Sequence, residues 1–390
     1  MIYGGINLKK ITFLMLHLNY GGLEKQTITL VNELAKTGEY DITIISVYDM
    51  LHGRSFYDID KNVKVEFLSD FGPHHKEFYN SLKHLNLFKF IKESIVMIKC
   101  GIYKSKVLKK RIETLDTDVI VSSRIEFSKL IKRHDTFNIS QEHSYITTNK
   151  YISRVKKWFK NIDAIVVMTN RAKLDYEKWL EKSNSNAKVY NISNMIEKVI
   201  DGVNASFESN TIISVGRLEK VKDFPTLLDV FKIVHDKHEE LELKIVGEGS
   251  QRDILEQKIK DLDLEGSVTI TGRIPTDSVK RELEKSKIFV LTSVCESFSL
   301  VLCEAMEQGL PVLSFNIDVG PKEIIQNGYN GILVEDRNIE KMAQEIISLV
   351  EDRSKWEKIA LNELNDVSKY YSENVAKGWI DIIGGKNEKE

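Results

Sequence analysis

Cysteine is scarce in this chain of 390 residues. The three present, Cys100, Cys295 and Cys303, are odd in number and lack metal-type spacing. That argues against a disulfide scaffold and fits a reducing compartment. Long apolar runs are missing too, and no stretch reaches the roughly 20 residues needed to span a bilayer. The apolar segment Ile11–Leu18 is short and runs straight into Asn19-Tyr20-Gly21-Gly22, so it reads as a buried strand and not as a signal peptide. There is no short-period repeat and no low-complexity segment. Neither a Walker-type loop nor a Gly-x-Gly-x-x-Gly follows the first strand, which leaves ATPase and dehydrogenase readings without support.

Net charge is also small, −2, but its distribution is uneven. Residues 1–200 hold 32 Lys and Arg against 22 Asp and Glu, and the remainder holds 24 against 36. The basic half is the one suited to an anionic partner such as a membrane surface or polyanion, the plainer alternative being ordinary solvated lysines.

The length suggests two domains. Along each half, β-type apolar runs alternate with longer amphipathic stretches, the pattern of parallel strands joined by crossover helices. Strands are expected at Ile11–His17, Ile42–Tyr48, Val63–Leu68, Val119–Ser122, Phe137–Gln141, Ala164–Met168 and Val189–Ile192. The series restarts at Thr211–Val215, Leu243–Val246, Val268–Thr271, Ile288–Leu291, Val312–Phe315 and Gly331–Val334. Helical patterns include Leu23–Lys36, Leu85–Leu115, Arg171–Glu181, Phe224–His235, Arg252–Leu262, Ser278–Glu284, Ser299–Gln308 and Ile339–Val350. The polar stretch Glu197–Asn210 reads as a linker. The expected domains are 1–196 and 197–370. Ligands of such sheets bind at the C-terminal ends of strands.

Several polar groups follow strands directly. Glu296 and Glu304 flank the segment Ser297-Phe298-Ser299-Leu300-Val301-Leu302-Cys303. A helix starting near Ser299 puts Glu304 on its second turn and Glu296 in the preceding loop. Amides at a helix N-terminus suit an anion, and a nearby carboxylate suits sugar hydroxyls. On spacing alone, a surface acid and a partly solvated helical glutamate is the simpler account. Arg217 and Lys222 lie five apart across a strand-to-helix turn, where two cations can neutralise a diphosphate. Gly21 and Gly22 permit close backbone approach ahead of a helix N-terminus. His143 ends the strand that begins at Phe137. Val246-Gly247-Glu248-Gly249 and Thr271-Gly272-Arg273 follow strands as well.

In their order and placement these segments resemble family 4 retaining glycosyltransferases, over nearly the whole chain. The resemblance implies an α/β chain of the GT-B fold, two Rossmann-like doubly wound domains facing across a cleft, with a C-terminal helix at about 371–390 crossing back to the first domain. It places the transferred sugar on Glu296, the nucleotide ribose on Glu304, and the donor diphosphate on Arg217, Lys222 and the Gly21-Gly22 loop. Phe298 and Ser299 match positions whose backbone approaches the sugar, and His143 a residue near the reaction centre. Gly247 and Arg273 match segments framing the base. Asn194 matches a structural position at the end of the first domain, and Val319-Gly320-Pro321-Lys322-Glu323 a segment packed beside the sugar pocket. Where the family usually has glycine, this chain has Asp223, Ser297 and, at a position often glycine, Ser299.

The implied reaction is retaining transfer of a hexosyl unit from a UDP-sugar to an acceptor hydroxyl of a glycan, glycolipid or glycosylated protein. No covalent nucleophile stands out; the departing phosphate takes the acceptor proton. The alternatives are a relative that epimerises or hydrolyses nucleotide sugars and a non-catalytic sugar-nucleotide-binding subunit. Asp58-Ile-Asp60 and Asp116-Thr-Asp118 have the spacing of metal-binding acids, but Asp118 precedes its strand, the wrong end for a ligand. No essential metal and no cofactor beyond the donor are expected. The basic stretches Lys83–Arg111 and Lys150–Lys160 are mixed with apolar residues, which suits a membrane interface or lipid-linked acceptor. No nucleic-acid motif accompanies them. The expected location is the cytoplasm, including the inner face of the membrane.

Overall fold

A computed structural model describes residues 8–73, 75–83, 87–198 and 204–385. The chain divides into two units. One comprises Met1–Met168, Ala172–Ile192 and Ala376–Glu390; the other comprises Thr169–Arg171 and Ser193–Val375. Asp201 and Gly202 of the expected linker lie outside the described residues.

The first unit is built on seven parallel strands: β1 (Lys9–Met15), β2 (Tyr40–Ser46), β3 (Lys64–Phe67), β4 (Val119–Ser122), β5 (Phe137–Glu142), β6 (Ala164–Val167) and β7 (Lys188–Asn191). Their order is β3-β2-β1-β4-β5-β6-β7. The β-branched, apolar runs form strands because central parallel strands are covered on both faces. All of β4 and β6 is buried, as is β1 from Ile11 onward. Order reverses between β1 and β4, the switch point at which loops part and leave a crevice.

The helices of this unit are α1 (Gly22–Lys36), α2 (His75–Lys83), α3 (Leu87–Ile102), α4 (Leu108–Glu113), α5 (Ile125–Ser128), α6 (Asn149–Trp158) and α7 (Asn170–Leu180). α1 packs Ile28, Leu30, Val31 and Leu34 inward, each burial contributing about 1.5–3 kcal/mol. The C-terminal helix Ser372–Gly384 adds buried Trp379 and Ile383 to this unit. The helix expected over Leu85–Leu115 is present as one unbroken helical run over 87–113, made of two parts of different register. A π-helical turn at Tyr103–Val107 separates α3 from α4, and residues 84–86 lie outside the described residues. The turn resets the register. α4 then buries Leu108 and Ile112, whereas only Glu93 and Cys100 of α3 are buried.

In the second unit six parallel strands follow the order β10-β9-β8-β11-β12-β13. They are β8 (Thr211–Val215), β9 (Glu242–Val246), β10 (Val268–Gly272), β11 (Ile288–Leu291), β12 (Val312–Phe315) and β13 (Ile332–Val334). The switch point lies between β8 and β11. Around the sheet are α8 (Phe224–His235), α9 (Arg252–Asp261), α10 (Thr276–Glu284), α11 (Leu300–Met306), α12 (Pro321–Ile324), α13 (Ile339–Glu351) and α14 (Arg353–Val367). α8 begins with Pro225 in its first turn, where no amide partner is needed, and buries Leu227, Leu228, Phe231 and Val234. Each of the thirteen expected strands is present, shifted by two residues at most.

Candidate functional site

β8 and β11 are neighbours in the second unit's sheet, so the loops after them emerge side by side at its switch point. That topology brings together two motifs more than seventy residues apart in sequence. The loop after β8 is tied to the loop after β9: the Gly216 amide donates to the Val246 carbonyl (3.0 Å) and the Leu218 amide to the Glu248 carbonyl (3.0 Å). Gly247, at φ +158°, lies so close that a Cβ would fall 1.8 Å from the Gly216 carbonyl oxygen. Gly272 joins it through an isolated bridge, and Arg273 follows, exposed.

The β8 loop ends in one short turn, Lys220–Lys222, then Asp223 in the left-handed region at φ +49° and ψ +47°. Here the usual glycine of the family pattern is explained by backbone geometry. Aspartate tolerates this region better than most residues. It also accepts a hydrogen bond from Thr226 Oγ1 (2.8 Å) and an ion pair from Arg337 (3.0 Å).

Lys222 points from that turn to the loop after β11. Its Nζ donates to Glu296 Oε1 at 2.5 Å, and Ser293 Oγ donates to the same oxygen at 2.6 Å. Both side chains of the ion pair are largely covered, 17% and 10% exposed, which strengthens it relative to a surface pair. Thr292 Oγ1 donates to the carbonyls of Lys222 and Asp223, and the Val294 amide to that of Val221. Gly320 closes on Glu296 from another side: at φ +92°, a Cβ there would meet Glu296 Cβ at 2.6 Å.

Arg337 was not singled out by sequence, yet it binds this site together. Its guanidinium donates to the carbonyls of Thr292 (2.7 Å) and Ser293 (3.1 Å), pairs with Asp223, and stacks over the Phe315 ring at 4.9 Å. The one sequence signal was a cation three residues beyond β13, at a strand's C-terminal end. Ser299 caps α11 with φ +85° and ψ +69°, which explains glycine as the common residue there. Its Oγ is buried without a hydrogen-bond partner. Phe298 is buried edge-to-face on Tyr370, ring centroids 5.4 Å apart. Glu304 is half-buried on the second turn of α11. Arg217 is exposed and makes no ion pair among the described residues. Asn194 lies between β7 and β8, its Oδ1 buried without a hydrogen bond.

Gly21, Gly22 and His143 belong to the first unit. Gly21 precedes α1, which has no side-chain cap, so its first amides face outward from the helix end. His143 directly follows β5 and is half-buried. Two polar clusters of this unit escaped the sequence reading. Buried Glu24 lies 3.5 Å from His17 Nδ1 and 3.6 Å from Arg124 Nη2. Burial pushes the His17 ring below its ordinary pKa, against the attraction of Glu24. Glu142, the last residue of β5, sits at the end of a hydrogen-bond chain running Ser122, Ser128, Ser140 to its Oε1. Tyr151 donates to its Oε2 at 2.5 Å, with Tyr176 beside it. Burial pushes the Glu142 carboxyl up to about 7, although Tyr151 and Ser140 stabilise the charged form.

The paired acids have local partners. Asp116 pairs with Lys10, Asp118 accepts from the Lys10 amide, and Asp60 accepts from the Asn62 amide. Among the described residues no group of three or more His, Cys, Asp or Glu is placed to hold a metal ion.

Residues 196–366 match the family model "Glycosyl transferases group 1". An uncharacterized glycosyltransferase of Haemophilus influenzae is 28% identical, over 96% of this chain and all of its own length. The GalNAc-alpha-(1->4)-GalNAc-alpha-(1->3)-diNAcBac-PP-undecaprenol alpha-1,4-N-acetyl-D-galactosaminyltransferase of Campylobacter jejuni is 26% identical, over 96% of this chain and 98% of its own. Among solved structures, S. aureus TarM in complex with Fondaparinux, alpha-GlcNAc-glycerol and UDP superposes with a TM-score of 0.73 at 17% identity, covering 96% of this chain and all of that one. The two parallel sheets share the GT-B fold of such structures. Over residues 196–366 the chain thus matches the model of the group 1 glycosyl transferases, and over nearly its whole length it is similar to the Haemophilus and Campylobacter glycosyltransferases.

Proposed function

We propose that this chain is a retaining hexosyltransferase that takes a nucleoside-diphosphate sugar, UDP-linked, and delivers the sugar to a hydroxyl of a glycan, glycolipid or glycosylated-protein acceptor. The observation that carries this is the Lys222–Glu296 pair at the switch point, one cation and one carboxylate held by a rigid frame, with exposed Arg217 on the same loop. In this reading Lys222 and Arg217 neutralise the departing diphosphate, Glu296 orients the sugar, and Glu304 takes the ribose. The backbone at Phe298 and Ser299 borders the sugar. The segments at Gly247 and Arg273 border the base. Gly21, Gly22 and His143 keep the roles that the sequence resemblance gives them. The reaction needs no metal. The UDP of the TarM complex and the glycan named for the Campylobacter relative support the donor and acceptor classes.

The test is thermal shift with UDP, GDP and ADP, followed by release of UDP from UDP-sugars with and without acceptor. A ligand that binds only the native state stabilises it by about 2.7 kcal/mol at a hundredfold excess over Kd. UDP is expected to raise Tm in the parent chain and not in Arg217→Ala/Lys222→Ala. The product should keep the donor's anomeric configuration. No shift with any nucleotide, or an inverted product, would refute the reading, as would activity that EDTA abolishes and manganese restores.

Arg337 should act through the residues it holds. Arg337→Ala removes hydrogen bonds from a charged group, each contributing about 1.5–3 kcal/mol, and frees the loop that carries Glu296. Turnover is expected to fall about 10- to 100-fold, with kcat more affected than KM and partial recovery in Arg337→Lys. Unchanged kcat in Arg337→Ala would remove it from the site's frame.

A further inference from the structure

α3 carries an apolar face that no described residue of its own unit covers. Phe88, Ile91, Ile95, Ile98 and Ile102 recur at alternating three- and four-residue spacing, which places them in one stripe along the helix. Their exposures are 90, 50, 50, 64 and 42%. The opposite face is anchored: Glu93 and Cys100 are buried, and the Tyr48 hydroxyl donates to the Cys100 carbonyl at 2.8 Å. On α2, whose Phe78 ring packs against Phe90 at 5.4 Å, Tyr79 and Leu82 are exposed as well. Contiguous exposed apolar residues of this kind mark an interaction surface.

The charges beside the stripe are of one sign. Lys92 and Lys99 directly follow Ile91 and Ile98, so they run along one flank; both are exposed and make no ion pair among the described residues. Exposed Lys106 and Lys110 continue the basic run. From Leu87 to Ile112 the only acid is Glu93, which is buried. No helix of the described residues is long and apolar enough to cross a membrane.

We propose that α3 docks this protein on an anionic lipid bilayer, lying in the plane of the interface with the Phe88–Ile102 stripe inserted and the flanking lysines at the headgroups. A helix of this composition binds by buried apolar area together with attraction to anionic lipid. A second copy fits less well. The same face of a second chain brings further lysines and, from Leu87 to Ile112, no exposed acid to offset them, whereas an acidic headgroup layer neutralises them. The docking is independent of the reaction proposed above.

The test is co-sedimentation of the full chain, without donor or acceptor, with vesicles of phosphatidylcholine alone or of equal parts phosphatidylglycerol and phosphatidylcholine. The chain is expected to sediment with the mixed vesicles and not with phosphatidylcholine, and to be released by high salt. Phe88→Ser/Ile95→Ser/Ile98→Ser should weaken the partition at least about tenfold, and Lys92→Glu/Lys99→Glu should also weaken it. Because these side chains are exposed, both variants should retain the parent Tm. Absent binding to mixed vesicles, or binding unaffected by the stripe variant, overturns the proposal. So does a dimer in sedimentation velocity that the stripe variant abolishes, which would assign the face to a second copy. None of these outcomes bears on UDP binding.

Discussion

Lys222→Ala is expected to lower kcat about 100- to 1000-fold, the usual cost of removing one preorganised group that stabilises developing charge. Two losses coincide in this variant. On the proposed reading the diphosphate loses a cation on the β8 loop, and Glu296 loses its counter-charge, keeping the Ser293 hydroxyl as a donor to the same oxygen. The carboxylate is then free to turn from the position in which Lys222 and Gly320 hold it. Lys222→Arg should recover only part of the rate, because a planar guanidinium does not reproduce a compact ammonium. Since the two residues touch, the deficits of Lys222→Ala and Glu296→Ala should not add in the double variant. Steady-state kinetics on the three proteins, with Tm measured alongside, decides the matter. A kcat within about threefold of the parent in Lys222→Ala would remove this residue from the chemistry.

The second large effect lies in the first unit and concerns stability. Glu142 is buried at the end of β5 with its carboxyl pushed up to about 7, whereas an unfolded glutamate titrates near 4.3. The folded chain therefore keeps a proton that the unfolded chain has already released. The stability this group contributes is fully present below its unfolded pKa and is lost as pH rises through about 7. The loss amounts to about 3 kcal/mol by pH 8. Glu142→Gln cannot ionise, its carbonyl can accept from Tyr151, and its amide can donate to Ser140. The stability of Glu142→Gln relative to the parent should thus rise by about that amount between pH 4.5 and pH 8. Urea unfolding followed by tryptophan fluorescence suits the measurement, because Trp179 packs on Tyr176 with ring centroids 4.8 Å apart. A difference between the two proteins that stays constant with pH would show that Glu142 is not buried uncharged.

The strands were legible because fully covered parallel strands are apolar almost throughout, as Val119–Val121 and Ile288–Leu291 are. Helices were legible where the stripe was clean. α14 was missed because its inward face includes Glu363, which accepts from the Val312 amide at 2.9 Å and is held well above the usual carboxylate range by burial. A buried acid breaks the apolar period that signals a helix. The helix expected over Leu85–Leu115 was legible in extent but not in register. Its apolar residues continue past Ile102, but the π-helical turn shifts which of them face the core.

In the candidate site, residue identity was legible and pairing was not. Glu296, Lys222 and Arg217 stood out by resemblance, but only the adjacency of β8 and β11 shows which of them meet. Arg337 carried no motif, since its work is done through carbonyl oxygens and a carboxylate supplied by other loops, and Ser293 acts through Glu296 of its own loop. The departures at Asp223 and Ser299 could be noticed in sequence, but their tolerance depends on left-handed backbone angles and on Thr226 and Arg337, visible only in three dimensions.

The contact between Lys222 and Glu296 means that each group already has its preferred partner before any donor arrives. On the proposed reading, a lone phosphate would capture the ammonium and strand the carboxylate, and a lone hexose would do the reverse. A molecule carrying both a diphosphate and a sugar satisfies the two at once. On that reading internal competition favours intact donors over their own breakdown products, so that UDP alone binds more weakly than the UDP-sugar, without needing a pocket whose shape excludes the fragments.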